Sequence, residues 1–121
     1  MEVLLDSSFI ISCVRKRIDF ISQLEEQGFK IVVPREVLQE MKDLRLKSKT
    51  SHEDRIAIDV ALDLIMRAKI KKNSFGKGKV DNYLIEMGKK GIHIATLDRE
   101  IKRQVPNKVV IFEARNGVGV E

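Results

Sequence analysis

The sequence predicts an α/β fold: a three-layer α/β/α sandwich in which helices cover both faces of a central parallel sheet. Three observations predict it. Short apolar runs (EVLLD, IVV, IHIATL and VVIF) alternate along the chain with segments whose apolar residues recur at helical spacing, the pattern of strands joined by helical crossovers. The run VVIF is continuously apolar, which suits a strand buried on both sides. Finally, the 121 residues are 43% hydrophobic and contain no repeat, low-complexity segment or linker, so they read as one domain, residues 1–121. A chain of this length buries roughly two-thirds of its unfolded surface, enough for a core without disulfides or a structural metal.

Residues 2–6 form the first strand and end in Asp6. Residues 7–13, SSFIISC, begin a helix with Asp6 or Ser7 as its N-cap. In residues 17–27, Ile18, Ile21 and Leu24 share one helical face, and Gly28 stops the helix. Ile31, Val32 and Val33 make the second strand. Pro34 cannot continue a central strand but suits the first turn of a helix. Residues 35–46 then carry a helical stripe of Val37, Leu38, Met41 and Leu44.

After the polar stretch KSKTS, residues 52–68 read as a longer amphipathic helix through Ile56, Val60, Leu62, Leu64 and Ile65. Residues 69–80 are basic and weakly patterned; Ile70 starts a short edge strand before the Gly76-Lys77-Gly78 loop. Residues 81–90 form a helix ended by Gly91. A strand over 92–97, a short helix from Asp98 to Gln104, and a last strand over 109–112 complete the chain.

Composition narrows the function. The formal charge of +5 favours a polyanionic partner, the more so if the acids prove clustered and leave the remaining surface basic. Cys13 is the single cysteine, which points to a reducing compartment rather than secretion. No run approaches the ~20 apolar residues that span a bilayer, and no signal peptide is visible. A soluble, cytoplasmic protein with no membrane partner is expected.

The acids carry the chemistry. Sites in open parallel sheets form at the carboxyl ends of the strands. Asp6 ends the first strand and Asp98 ends the fourth, so both belong to one edge. Glu40 lies six residues beyond Pro34 on a helix leaving that edge, roughly 9 Å along it at ~1.5 Å per residue. Asp81 opens the helix leading into the fourth strand. Asp6, Asp81 and Asp98 all stand where aspartate caps helices, which by itself accounts for each of them. Glu40 is too deep in its helix to cap; an ion pair or plain exposure is its ordinary alternative.

Four segments together resemble the PIN-domain family: VLLDSSFII, VVPREVLQEM, KVDNYLIEMGKKG and IHIATLDREIKRQ. Asp6 and Ser7 match the aspartate and small hydroxyl residue of the first strand. Glu40, Asp81 and the Thr96–Asp98 pair match the later motifs. Ser8 stands where many members have asparagine, Asn82 where many have a second acid, and Leu97 where asparagine is common. The resemblance implies a metal-dependent endoribonuclease of the toxin-nuclease or ribosomal-RNA-processing branch. It implies that Asp6 and Asp98 bind Mg²⁺ or Mn²⁺, that Asp81 helps hold it, and that Glu40 orients or deprotonates water or binds a second metal. Carboxylates without His or Cys suit such hard cations.

Ser7 and Thr96 are candidate hydroxyls behind these ligands, with capping and strand propensity as the plain alternative. Lys72, Lys77 and Lys79 are candidate phosphate contacts, or a solvated loop. His52 and His93 read as structural. RNA is the expected partner. An antitoxin or a ribosome-biogenesis partner is expected according to branch, and a homodimer through the apolar face of residues 52–68 is a further possibility. The competing reading is a PIN-like RNA-binding or assembly module with little catalysis. A response-regulator-like switch is set aside, because the early acid pair and the mid-chain strand-end aspartate are absent.

Overall fold

The computed structural model describes residues 1–121. The chain runs β1 (Glu2–Leu5), α1 (Ser7–Arg15), α2 (Phe20–Glu26), β2 (Lys30–Pro34), α3 (Arg35–Leu46), α4 (His52–Arg67), β3 (Lys71–Asn73), α5 (Val80–Lys89), β4 (His93–Ala95), α6 (Arg99–Gln104), β5 (Lys108–Phe112), a 3₁₀ turn (Glu113–Arg115) and β6 (Gly117–Val120). The strands form one six-stranded sheet in the order β3-β2-β1-β4-β5-β6. Every neighbouring pair is parallel except β5 and β6.

From β1 the chain steps outward to β2 and β3, then returns to β4 and β5 on the other side. Because such crossovers are right-handed, the reversal sends their helices to opposite faces. Accordingly α1 packs against α3 and α4, while α5 packs against α6, giving the expected three-layer sandwich. The direction of winding switches between β1 and β4, so the crevice at the carboxyl ends of these two strands is where such sheets open to ligands.

Apolar residues of β1, β2 and β4 fill the centre: Val3, Leu4, Leu5, Ile31, Val32, Val33, Ile94 and Ala95 are all buried. Around them Phe9, Ile10, Phe20, Leu24, Met41, Ile58 and Leu84 supply the helical side of the same core. Cys13 is among the buried residues, and burial pushes its thiol up to about 12, so it stays protonated and inert.

The structure differs from the sequence reading in three places. Pro34 is the last residue of β2 and the N-cap of α3. The ladder between β1 and β2 reaches only Val32, so the missing proline N–H falls beyond it. On α4 the buried residues are Ala57, Ile58, Ala61 and Ile65. Small alanines let α4 lie close to α1 and α3, and this turns Ile56, Val60 and Leu64 outward, 49%, 42% and 39% exposed. The last strand is β6, not the run at 109–112. Its glycines hide it from strand propensity, yet it pairs with β5 from Val109–Val120 to Phe112–Gly117.

Beside β6, α2 acts as a substitute neighbour. Gln23 Oε1 accepts from the Val118 amide at 2.8 Å, and Gln27 Nε2 donates to the Val118 carbonyl at 2.8 Å. A Cβ on Gly117 would stand 2.9 Å from Gln23 Oε1, and one on Gly119 would stand 3.2 Å from Gln27 Oε1. The alternation Gly-Val-Gly-Val is thus required by the glutamines lying over it.

Gly88 is the other glycine set by packing. It is buried in α5, and a Cβ there would lie 2.7 Å from Val105 Cβ and 3.1 Å from Ile94 Cγ1. Gly88→Ala is expected to destabilise the protein by about 1–3 kcal/mol through overpacking. Urea unfolding checks this, and an unchanged midpoint would mean that Val105 gives way.

Candidate functional site

Asp6 sits at the end of β1, buried, with 6% of its surface exposed. Its own amide donates to the Ala95 carbonyl at 2.9 Å, which continues the β1–β4 ladder by one step and ties the residue to the switch point. Oδ1 accepts from the Ser7 amide at 2.9 Å, so the carboxylate also caps α1. Oδ2 accepts from Thr96 Oγ1 at 2.6 Å and from Ser8 Oγ at 3.5 Å.

Thr96 is fully buried and joins two of the acids. Its hydroxyl donates to Asp6 Oδ2 and accepts from the Asp98 amide at 3.1 Å. Asp98 in turn caps α6, Oδ1 accepting from the amides of Glu100 at 2.8 Å and Ile101 at 3.4 Å. Ser8 completes the knot: its Oγ accepts from the Leu97 amide at 3.1 Å and lies 3.5 Å from Thr96 Oγ1. Sequence reasoning noted Ser8 only as an unusual occupant of its position. The available signal was its place two residues beyond a strand-end acid, on the first turn of the helix that follows.

The two acids on helices approach from the other side. Ser7 Oγ reaches Glu40 Oε1 at 3.5 Å, the only hydrogen bond Glu40 makes. Asp81 lies in the first turn of α5, where the N-cap is Lys79 and no side chain caps the helix. Capping therefore describes Asp6 and Asp98 but not Asp81. No ion pair of the protein includes Asp6, Glu40, Asp81 or Asp98, so the ion-pair alternative for Glu40 is removed. Glu40 and Asp81 line one cleft of 350 Å³ together with Glu36, Asp43 and Lys79. Asp43 and Glu36 were not foreseen as neighbours of the site.

Electrostatics binds the four acids into one group. Burial raises the Asp6 carboxyl above its ordinary range. Hydrogen bonds from Thr96 and Ser7 pull it down, and the charges of Asp81 and Asp98 push it further up. The Glu40 carboxyl is also raised, first by partial withdrawal from water, then by the charges of Asp6 and Asp81, with Ser7 opposing and Asp43 adding to the rise. The four acids thus share one rim, although no three carboxylate, imidazole or thiolate groups converge closely enough to form a ready metal cage. The donor set fits Mg²⁺ or Mn²⁺ nonetheless. Mg²⁺ keeps several waters and takes only one or two carboxylates directly, and a cation relieves the mutual repulsion that raises Asp6 and Glu40.

These shifts have a pH consequence. A carboxyl whose folded pKa is raised binds its proton more tightly in the native state, so its ionisation opposes folding. Stability is then lost as pH rises from the ordinary carboxylate range through the raised value. Glu40→Gln removes one such group, so without divalent cations its melting temperature is expected to gain on the wild type as pH rises from about 5 to about 8. Added Mg²⁺ is expected to shrink that gap. Parallel melting curves across the whole interval would overturn the assignment.

Of the three lysines, Lys79 lines the cleft with Glu40 and Asp81. Lys77 and Lys79 line an adjoining pocket. Lys72 lies apart on β3, beside a separate 470 Å³ cavity with Leu38, Leu62 and Met66. His93 packs edge-on against Phe29, ring centres 4.9 Å apart, at a distance from the acids in the core. No helix is long and apolar enough to cross a membrane.

In comparison with known proteins, the family model described as a PIN like domain matches residues 3–115 of the chain. No curated protein matches it.

Proposed function

Since the chain belongs to the PIN-like domain family, whose members are generally nucleases, we propose that it is a metal-dependent endoribonuclease that hydrolyses RNA phosphodiester bonds at the rim formed by Asp6, Glu40, Asp81 and Asp98. The observation that carries this reading is the state of Asp6: a buried carboxylate, coupled to three other acids, with no basic residue to balance it. A surface evolved only to bind phosphate gains nothing from such a group.

Asp6 and Asp98 would hold Mg²⁺ or Mn²⁺, with Asp81 assisting. When bound, the ion supplies an activated water and neutralises charge on the leaving oxygen. The remaining work belongs to the chain itself. Thr96, Ser7 and Ser8 fix the Asp6 carboxylate in one orientation, and the α6 amides fix that of Asp98. Glu40, raised above the ordinary range and free of any cation, is suited to orient a water and take its proton. Lys79, and Lys77 beyond it, draw the RNA backbone toward acids that would otherwise repel it.

Incubating the protein with labelled hairpin and single-stranded RNA in Mg²⁺, Mn²⁺ or chelator tests the proposal. Cleavage that requires the cation and collapses in Asp81→Asn, with melting temperature unchanged, is the expected result, because Asp81 caps nothing. The absence of a ready three-acid cage favours the second reading, a domain that holds RNA and cuts it poorly. RNA binding without cleavage in either cation would establish that reading instead.

A further inference from the structure

The loop between β3 and α5 builds a second pocket against the acid cleft. It has a volume of 330 Å³ and shares Gly78 and Lys79 with the cleft, so the two are continuous. The size falls at the lower end of the ~300–1,000 Å³ usual for small-ligand sites. Phe75, Tyr83 and Met87 give it an apolar lining, and Lys77, Lys79 and Lys90 give it a basic rim.

The lining is held in place. Phe75 and Tyr83 stack with ring centres 4.4 Å apart and planes 14° from parallel. Asn73 Nδ2 donates to the Tyr83 hydroxyl at 2.8 Å. Behind the loop, Glu36 Oε2 accepts from Ser74 Oγ at 2.6 Å. That bond, followed by the amides of Gly76 and Phe75, holds the Glu36 carboxyl below its ordinary range. An ionised side chain from α3 thus anchors the loop and keeps the aromatic pair in register with the cleft. Gly76 and Gly78, at φ +81° and +111°, turn the chain so that Lys77 and Lys79 project from it, a backbone that residues with side chains rarely adopt.

This combination of an ordered aromatic lining, three lysines and an opening onto the acids matches one ligand chemistry: a nucleobase attached to a phosphate. Of the three lysines only Lys90 has an acidic partner, Glu86 at 3.6 Å, and both members of that pair are exposed. The pair is therefore weak and easily exchanged for a phosphate. Resting on the nuclease reading above, we propose that the pocket is a nucleotide subsite that grips single-stranded RNA next to the scissile bond. Phe75, Tyr83 and Met87 receive the base, and the three lysines hold its backbone phosphate. Because stacking and point-charge contacts accept any base, the subsite selects for unpaired strand rather than for sequence.

The test compares wild type with Lys77→Glu/Lys90→Glu, both exposed positions. The control is Lys30→Glu/Lys69→Glu, which makes the same change in net charge at the opposite end of the strands. Cleavage of a labelled single-stranded RNA dodecamer is measured, together with its binding by fluorescence anisotropy in Ca²⁺ over a range of salt. The pocket variant is expected to raise KM and Kd about tenfold or more and to lower the slope of log Kd against log salt by about 2, one per lost phosphate contact. The control is expected to leave all three as in wild type.

Equal KM, Kd and slope in the pocket variant and the control overturn the subsite while leaving the nuclease standing. If wild type binds RNA but never cuts, the nuclease reading fails separately. The Kd and salt-slope comparison then still decides whether this pocket holds a nucleotide.

Discussion

Asp6→Asn is expected to reduce metal-dependent RNA cleavage by about 100-fold or more, beyond the ~10–100-fold typical of losing a residue that merely supports a ligand. In chelator, the same variant is expected to melt above wild type. The two effects have one cause. Asparagine keeps the shape of the side chain and the acceptor for the Ser7 amide. Its Nδ2 then faces Thr96 Oγ1, which turns its own hydrogen toward Ser8 Oγ, 3.5 Å away, so the knot survives. What disappears is a buried negative charge that Asp81 and Asp98 repel. Without the cation that charge opposes folding at neutral pH; with the cation it is a ligand. Cleavage assays and paired melting curves with and without Mn²⁺ check the prediction. A variant that cuts at the wild-type rate would remove Asp6 from the reaction.

Thr96→Val is expected to destabilise the protein by about 1–3 kcal/mol, since it leaves the Asp98 amide and Asp6 Oδ2 short of a partner in a buried setting. Cleavage or metal affinity is expected to fall about 10–100-fold, as for other groups that orient ligands. Valine matches threonine in shape, so the loss isolates the hydroxyl. Thr96→Ser restores that hydroxyl, and its recovery of cleavage ahead of stability would separate the orienting role from packing. If valine lowers stability and leaves cleavage and the metal-induced rise in melting temperature unchanged, Thr96 serves the fold alone.

Much of the site was legible because strand ends are legible. Asp6 and Asp98 close apolar runs, and a parallel sheet brings such positions to one edge by topology, before any side chain is placed. Glu40 stood out because it was too deep in α3 to cap. Other features were invisible because they depend on partners distant in sequence. The Ser8 hydroxyl gains its meaning from Thr96 and Leu97, some ninety residues away. The α4 stripe was misjudged because large apolar residues draw the eye, whereas Ala57 and Ala61 permit the close approach. β6 eluded propensity altogether, since two of its four residues are glycine and its order comes from β5 and α2.

The glutamines over β6 determine how this sheet can grow. A sheet edge with open amides and carbonyls is a template for another molecule's strand. At one end, Gln23 and Gln27 already occupy the outward-facing groups of Val118. At the other end, the open edge is β3, three residues long and carrying Lys71 and Lys72, whose charges repel a like strand. Copies of this protein therefore have no productive way to extend one another's sheets. Any assembly they form must use helix surfaces, and Gln23→Leu/Gln27→Leu would leave the C-terminal strand as the place where fibrous aggregation begins.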